Sequence, residues 1–195
     1  MTSSSTFDFL CLFIILIIIL EDNIMETLDA IFKRKSVREF LDKEISEEDM
    51  HTILKAAMSG PGCANKKDWK FIVTKDQDLM NKMADANGRP ATPLRNAKLA
   101  IMVCGDLNKA FPMAKDYWII DGSIACQNMI LAAFDLGIGS VWLGTYPQDD
   151  RVNKQKELLN LADNLVCHSI IAFGYPKDNE FAYRDQFDQT CVEYR

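Results

Sequence analysis

The order of apolar and polar positions along residues 25–195 predicts helices and short strands that follow one another. Apolar residues spaced three and four positions apart indicate amphipathic helices, and short continuous apolar runs indicate buried strands. Helices are predicted by this pattern at residues 25–33, 46–57, 76–86, 116–136 and 149–161. Strands are predicted at residues 69–73, 99–104, 140–143 and 166–173. The chain should therefore fold as a mixed α and β domain.

Two of the predicted helices carry further signals. Ser46 stands directly before three acidic residues, and a hydroxyl at the cap with acids in the first turn is typical of a helix N-terminus. The helix at residues 116–136 is apolar on nearly all of its sides, which indicates a central position. Part of this helix should pack against the chain's own sheet, and part should pack against a second copy of the chain. The helix therefore predicts a homodimer.

Residues 1–24 form an apolar N-terminal extension that differs from the rest of the chain. Residues 9–20 are uncharged and dominated by Ile and Leu, but a spanning helix needs about 20 apolar residues. No Lys or Arg precedes the run, and no small-residue cleavage site follows it. Three interpretations stay open: a start site placed upstream of Met25, a membrane-associating tail, or a segment docked on a partner. Residues 25–195 are treated as the working domain.

Composition and charge narrow the function classes. The chain has 22 Lys and Arg against 28 Asp and Glu, a net charge of −6, which argues against nucleic acid as a partner. Six cysteines are spread along the chain without a C-x-x-C pair, which predicts reduced thiols and a cytoplasmic location. The two histidines, His51 and His168, lie in unrelated contexts, so a zinc site is not expected.

Three cations and a hydroxyl stand together just after the first predicted helix, at Arg34, Lys35, Ser36 and Arg38. This cation segment, residues 34–38, can hold a phosphate through charge-assisted hydrogen bonds. If the helical turn continued, Arg34 and Arg38 would lie on one side of it, with Ser36 between them. Alternatively, the cations only complement the helix dipole and face water. The residues alone leave both interpretations open.

The second candidate is a loop of small residues before the first predicted strand. This small-residue loop, residues 60–68, reads Gly-Pro-Gly-Cys-Ala-Asn-Lys-Lys-Asp. Small residues let a flat ligand approach the backbone closely. Asn65 offers a donor and an acceptor that suit the edge of a heteroaromatic ring such as a flavin. An ordinary turn before a strand would have the same composition.

The third candidate is a glycine-rich segment, residues 137–144. A dinucleotide fingerprint needs G-x-G-x-x-G after a strand and before a helix. Here Trp142 replaces the third glycine, and the predicted helix comes before the segment, so this interpretation fails. A helix C-cap explains one of the glycines. Leu143 and Gly144 can still offer open backbone to a ligand.

Taken in order, these motifs resemble those of the nitroreductase family of flavin enzymes. The family pattern Arg-Arg-Ser-x-Arg-x-Phe appears as Arg-Lys-Ser-Val-Arg-Glu-Phe at residues 34–40. The pattern Ala-Pro-Ser-x-x-Asn-x-Gln-Pro-Trp corresponds to residues 60–69, and Leu-Gly-x-Gly followed by a strand and a glycine to residues 136–144. A late Gly-Tyr-Pro is present at residues 174–176, followed by a basic residue, Arg184. The resemblance covers nearly all of residues 25–195.

The resemblance implies a three-layer α+β sandwich with a mixed, mainly antiparallel central sheet flanked by helices. It implies FMN bound at a homodimer interface, hydride transfer from NADH or NADPH to FMN, and electron transfer to a nitroaromatic or quinone. No catalytic side chain and no metal are expected, because the cofactor carries the chemistry. The implied phosphate-side residues are Arg34, Lys35, Ser36, Arg38 and Arg184. The implied ring-side residues are Pro61, Gly62, Asn65, Lys67, Leu143 and Gly144.

The small-residue loop departs from the family pattern at two places. Gly62 stands where the family has Ser, and Lys67-Asp68 stands where it has Gln-Pro. Lys67 could place a cation near the N1–C2 carbonyl edge of the flavin and stabilise its anionic reduced form. A solvated loop lysine is the alternative.

Two other functions are compatible with the same motifs. One is a flavin-binding homodimer without turnover, such as a flavin carrier or a regulatory protein. The other is a specialised branch of the family that performs reductive dehalogenation or destroys flavin. Such branches usually carry an additional lid, for which residues 86–93 and 111–117 are the candidates.

Overall fold

The computed structural model describes residues 25–195 and divides them into two compact units. The larger unit is residues 34–182, and the smaller unit combines residues 25–33 with residues 183–195. The apolar run at residues 9–20 lies outside the described residues. The three interpretations of residues 1–24 therefore stay open. Within residues 25–195, no helix has the length and apolar character needed to cross a membrane.

The observed elements follow the predicted order closely. The helices are α1 (Thr27–Lys33), α2 (Glu47–Ala57), α3 (Gln77–Asn87), α4 (Trp118–Asp135) and α5 (Asp149–Leu158). The strands are β1 (Trp69–Thr74), β2 (Leu99–Asp106), β3 (Gly139–Gly144) and β4 (Leu165–Gly174). Short 3-10 turns lie at Cys63–Asn65, Arg89–Arg95, Lys115–Tyr117 and Gln189–Cys191. The helix predicted to start at residue 116 begins as one of these turns and becomes α-helical at Trp118.

Side-chain caps fix where two of the helices begin. The Ser46 hydroxyl accepts a hydrogen bond from the Asp49 N–H at 3.0 Å, as the cap signal before α2 predicts. The Asp76 carboxylate does the same for α3, accepting from the N–H groups of Asp78 and Leu79. Gly88 ends α3 with a φ of 79°, a left-handed backbone conformation that favours glycine.

The four strands form one sheet in the order β1-β2-β4-β3, and every pair of neighbouring strands is antiparallel. The strands β2 and β4 are therefore central, while β1 and β3 are the two edges. Trp69 of β1 pairs with Gly105, and Gly139 of β3 pairs with Gly174. Among the described residues, one parallel bridge adds to this sheet, between Ser36 and Ser140.

Both faces of the sheet are covered by helices, because alternate residues of β2 enter different cores. Ala100, Met102 and Cys104 share one core with Met80 and Met83 of α3. The intervening residues Leu99, Ile101 and Val103 share the other core with residues of α2 and α4, including Ile53 and Met129. The three-layer α+β sandwich is thereby confirmed. Complete burial of each Leu, Ile, Val or Met side chain among these residues contributes about 1.5–3 kcal/mol to stability.

The apolar surface of α4 is mostly buried within the chain. The helix packs against α2 and against the sheet, and its buried residues include Ala125, Met129 and Ile130. Ile120 is the large apolar residue of α4 that stays exposed, at 49%. Less of this helix is therefore left for a second copy than its sequence indicates. The homodimer itself stays a prediction.

The smaller unit joins α1 to the C-terminal segment. The N–H of Arg184 donates to the carbonyl of Phe32 at 3.3 Å, and the rings of Phe32 and Tyr183 lie 5.1 Å apart. Within α1, Lys33 pairs with Asp29 at 2.7 Å. Arg184 is therefore placed beside the end of α1 within this unit.

Candidate functional site

The cation segment runs beside the edge strand β3 and does not continue α1, which ends at Lys33. The N–H of Val37 donates to the carbonyl of Ser140 at 2.9 Å. Four residues beyond Ser36, Phe40 forms a second bridge with Pro176. The prediction that a helical turn brings Arg34 and Arg38 onto one side is therefore wrong.

Two close contacts explain why the segment leaves the helix. Val37 is 6% exposed and Phe40 is 3% exposed, so both apolar side chains are buried against the sheet. A Cβ on Gly139 would lie 2.8 Å from Val37, and a Cβ on Gly174 would lie 2.7 Å from Phe40. These glycines let the segment approach β3 and β4 closely enough to bury its apolar residues. Next to buried Val37, the side chains of Ser36 and Arg38 are exposed.

Gly139→Ala is expected to lower the free energy of unfolding by about 1–3 kcal/mol, because the added methyl group overlaps Val37. Urea denaturation measures this change. Gly144→Ala on the same strand is the matched control, since a Cβ there meets nothing within 4 Å and stability should change by less than about 0.5 kcal/mol. Equal effects of the two substitutions would contradict the close approach of the cation segment.

The three predicted cations of the segment have different surroundings. Lys35 is paired with Asp178 at 2.7 Å and lies over the ring of Phe181. Arg34 is half-buried, whereas Arg38 is exposed and donates only a long hydrogen bond, 3.4 Å, to the carbonyl of Ser36. Arg38 is therefore well placed to bind an anion from solution, while much of the charge of Lys35 is already balanced.

Two shallow cavities meet at Arg38. One, of about 290 Å³, runs along the cation segment towards Lys177 and Asp178. The other, of about 550 Å³, lies between Arg38 and the 3-10 turn that carries Arg89. Arg89 adds a cation that sequence reasoning missed, because nothing in its local pattern indicates that the turn faces Arg38.

Gly144 ends β3 with an exposed, open backbone. A Cβ at this position would meet nothing within 4 Å. The Gly144 carbonyl is held from within by two donors, the Asn87 side-chain amide at 3.1 Å and the Arg151 guanidinium at 3.1 Å. The Thr145 hydroxyl in turn donates to the Asn87 side chain at 2.9 Å. Asn87 is fully buried, and sequence reasoning missed it because an Asn at a helix end is ordinary.

The small-residue loop has an unusual backbone. Ala64, Asn65 and Lys67 have φ values of 47°, 53° and 52°, in the left-handed region that non-glycine residues rarely adopt. Each such residue costs on the order of 1 kcal/mol, so the surrounding structure must hold the loop in place. The Asn65 and Lys67 side chains are exposed. One anchor is a hydrogen bond from the Cys63 N–H to the Asp121 carboxylate at 2.8 Å.

Two buried carboxyl groups lie beneath this loop. Asp68 is 1% exposed and Asp121 is 3% exposed. Burial raises the pKa of Asp68 to about 6, with the nearby charge of Asp121 as the second cause. Sequence reasoning missed both as members of the site. A lone acid inside the apolar helix α4 is the signal that points to Asp121.

His168 is buried and lies against α4. Its Nε2 atom is 3.1 Å from the Ile119 carbonyl and 3.2 Å from the Ser123 hydroxyl oxygen. Burial lowers the pKa of His168, so the ring is neutral at physiological pH. The Nδ1 atom makes no hydrogen bond to the residues that the structure describes. His51, in contrast, is exposed on α2.

Comparison with known proteins decides the family. Residues 31–105 and 91–175 match the family model described as "Nitroreductase family". A protein of Archaeoglobus fulgidus named "Putative NADH dehydrogenase/NAD(P)H nitroreductase" is 43% identical over 169 residues, which cover 86% of this chain and 96% of that protein. The chain belongs to the nitroreductase family.

Solved structures share the fold of this nitroreductase. The crystal structure of a protein from Bacteroides thetaiotaomicron, which has the same name as the Archaeoglobus fulgidus protein, has a TM-score of 0.79 and 37% identity. The match covers 86% of this chain and 96% of the other. An FMN-dependent nitroreductase from Clostridium difficile also has a TM-score of 0.79, with 29% identity, covering 86% and 98% of the two chains. The α+β sandwich is thus the fold of the family.

Within one nitroreductase chain, the candidate residues are divided between the two edges of the sheet. Ser36, Arg38, Leu143 and Gly144 belong to the β3 edge, whereas Pro61, Gly62, Asn65 and Lys67 precede β1 at the opposite edge. Adjacent strands are about 4.8 Å apart, so three spacings separate β1 from β3 by roughly 14 Å. The cation segment lies one spacing further out. Arg184 belongs to the smaller unit.

Proposed function

We propose that this nitroreductase is an FMN-dependent oxidoreductase that passes electrons from NADH or NADPH to nitroaromatic or quinone-type acceptors. The observation that carries the proposal is the β3 edge. There, the exposed Ser36 hydroxyl and Arg38 guanidinium lie in the cation segment beside β3, the edge strand that ends in the open backbone at Gly144. Membership of the family and the similarity to an FMN-dependent nitroreductase support the same assignment.

The donor set of the β3 edge fits FMN. A phosphate needs cationic and hydroxyl donors, which Arg38 and Ser36 offer from exposed positions. A flat ring needs backbone without a side chain in the way, and Gly144 supplies it. The Asn87 amide fixes the Gly144 carbonyl, so this surface is preorganised.

In the proposed mechanism, bound FMN supplies the hydride and electron-transfer chemistry. The chain's own residues would bind FMN and orient it. Arg38 and Ser36 would hold the phosphate, and Leu143 and Gly144 would present backbone to the ring. Lys67 would place a positive charge near the ring and thereby favour negative charge on it. No side chain has to act as nucleophile or general base.

The division of the residues between two sheet edges supports a homodimer with shared sites. The small-residue loop of one chain would meet the β3 edge of its partner, so that residues from opposite edges of the sheet contact the same flavin ring. Each dimer would then carry two sites, each built from both chains. Arg34 and Lys35 complete the proposed phosphate side.

A mixed dimer tests this shared site. Arg38→Ala damages the phosphate half, and Asn65→Gly damages the ring half without straining the left-handed backbone. In a dimer of one Arg38→Ala chain and one Asn65→Gly chain, one site contains both substitutions and the other site contains neither. Flavin titration should therefore recover about one tight site per mixed dimer, although each parent variant binds weakly at both sites. Recovery of no tight site would place both halves in one chain.

A cytoplasmic location is part of the proposal. Cys104, Cys126 and Cys167 are buried free thiols in the cores on both sides of the sheet. Burial raises the pKa of the Cys126 thiol, which keeps it in the unreactive protonated form. Such cysteines are typical of proteins that fold in a reducing compartment.

The absorbance spectrum of the purified protein, followed by steady-state oxidation of NADH and NADPH, tests the proposed function. We expect flavin bands at one FMN per chain and turnover with either a quinone or a nitroaromatic as acceptor. A protein that stays oxidised and yellow with both nicotinamides would be a flavin carrier. A colourless protein that does not take up FMN would overturn the proposal.

A further inference from the structure

Asp68 and Asp121 form a buried pair of acids directly behind the small-residue loop. Asp68 is the last loop residue before β1, and Asp121 lies in the first turn of α4. Asp121 accepts the Cys63 N–H, so it holds the loop at its start. Asp68 joins the loop to the sheet at its end, where its carbonyl accepts the Asp106 N–H at 2.6 Å. The pair thus lies between the two fixed ends of the loop.

The two departures of the loop from the family pattern meet at this pair. A Cβ on Gly62 would lie 3.0 Å from the Oδ2 atom of Asp121 and 3.4 Å from the ring of Trp69. A larger residue at position 62 would therefore press on the Asp121 carboxylate. The other departure supplies Asp68 itself, in place of a proline. Gly62 makes room for the same acid pair that Asp68 completes.

Two neighbouring buried carboxyl groups cannot both ionise without strong repulsion. Both carboxyl oxygens of Asp68 are buried without a hydrogen-bond partner among the described residues. The stable arrangement therefore has one carboxylate and one neutral acid. Burial and the charge of Asp121 raise the pKa of Asp68 to about 6, so the proton is lost within the physiological range.

The other charged and titratable groups around the pair come from β2, β4 and the loop itself. Asp106 at the end of β2 adds negative charge, partly balanced by Lys109 at 3.5 Å. His168 of β4 lies against Gly122, next to Asp121, and is neutral because burial lowers its pKa. In the loop, Lys67 is exposed and Lys66 lies over the ring of Phe111, 5.9 Å from its centre.

We propose that Asp68 and Asp121 share one proton and act as positioning residues for the small-residue loop. When the shared proton is lost, repulsion between the start of β1 and α4 loosens the loop, and flavin binds less tightly. This inference rests on the proposed function, in which the loop meets the flavin ring. Tight flavin binding is then favoured below about pH 6 and weakens as the pH rises through that value.

Hydrogen exchange of the apo-protein tests the loop directly, without flavin. We measure exchange of peptides that cover residues 60–68 at pH 5.5 and pH 8, corrected for the intrinsic pH dependence of amide exchange. In the parent protein, corrected exchange should rise about threefold to tenfold between the two pH values. Asp68→Asn mimics the protonated acid and should exchange slowly at both. Asp85→Asn, an exposed acid paired with Arg95, is the control and should behave as the parent does.

Flavin titration over the same pH range tests the consequence for binding. Riboflavin is the probe, because the phosphate of FMN itself titrates near pH 6. Its dissociation constant should rise at least threefold between pH 5.5 and pH 8 for the parent and stay level for Asp68→Asn. Asp121→Asn keeps an oxygen that can accept the Cys63 N–H and should also remove the pH dependence. It serves as the second variant if Asp68→Asn does not fold.

The outcomes separate this inference from the proposed function. Parallel pH profiles of exchange in the parent and both Asn variants would overturn the positioning role, whether or not flavin binds. Suppose that exchange of the loop depends on pH but that the protein binds no flavin. That result would support the shared proton of the acid pair, and it would overturn both the proposed function and the predicted effect on flavin binding. The inference would also be overturned if hydrogen exchange of the loop did not change with pH while riboflavin binding depended on pH in all variants.

Discussion

Arg38→Ala should weaken FMN binding by about tenfold to a hundredfold and leave riboflavin binding almost unchanged. Arg38 is exposed, lines both cavities of the β3 edge and, among residues 25–195, makes a single long hydrogen bond. The FMN phosphate carries between one and two negative charges, and a hydrogen bond to a charged group contributes roughly 1.5–3 kcal/mol. Titration of the apo-protein by flavin fluorescence measures both affinities.

Two further variants make the Arg38 result specific. Arg38→Lys should recover only part of the loss, because a planar fork is replaced by a point charge. Lys154→Ala removes an equal charge from the exposed face of α5, where Lys154 pairs with Asp150, and should leave both affinities unchanged. If Arg38→Ala left FMN binding intact, or weakened both flavins equally, the cation segment would be an ordinary solvated surface.

Gly144→Ala should weaken the binding of FMN and riboflavin alike, by about tenfold or more, without a measurable loss of stability. The added methyl group meets nothing within 4 Å in the part of the chain that the structure describes, so the fold accepts it. A flavin ring packed on this backbone would be displaced, and overpacking of such a contact typically costs 1–3 kcal/mol. Flavin titration and urea denaturation of the same variant measure the two effects separately.

Gly144→Ala and Arg38→Ala should differ in which flavins they affect. Loss of the phosphate contact affects FMN alone, whereas loss of the ring contact affects both flavins. Unchanged flavin affinity in a stable Gly144→Ala protein would remove β3 from the ring-binding surface. A large loss of stability would instead mean that Gly144 is packed within the chain.

The sequence predicted the elements well because their signals are local. The cap at Ser46, the apolar run at residues 99–104 and the apolar helix ending near Gly137 are each read within a few positions. The cation segment shows where local reasoning fails. Its cations after α1 look like a helix end, but burial of Val37 and Phe40 against Gly139 and Gly174 depends on contacts more than 90 residues away along the chain.

The sequence names candidate residues for the site but not their arrangement in the fold. The strand order β1-β2-β4-β3 separates the small-residue loop from the cation segment, and no local pattern encodes that order. Asn87 and Arg89 join the β3 edge through tertiary packing alone. Asp68 was read only as a departure from the family pattern, since its partner Asp121 is 53 positions further along the chain.

Anaerobic mixing of the purified protein with NADH or NADPH in a stopped-flow spectrophotometer tests the central proposal most directly. Bound FMN should lose its visible absorbance on reduction, and a nitroaromatic or quinone added afterwards should restore it. Arg38→Ala, saturated with FMN, should show the same sequence, because its defect lies in holding the phosphate. Full bleaching and recovery within the time of one turnover is the predicted result. A flavin-loaded protein whose absorbance does not change with either nicotinamide would contradict it.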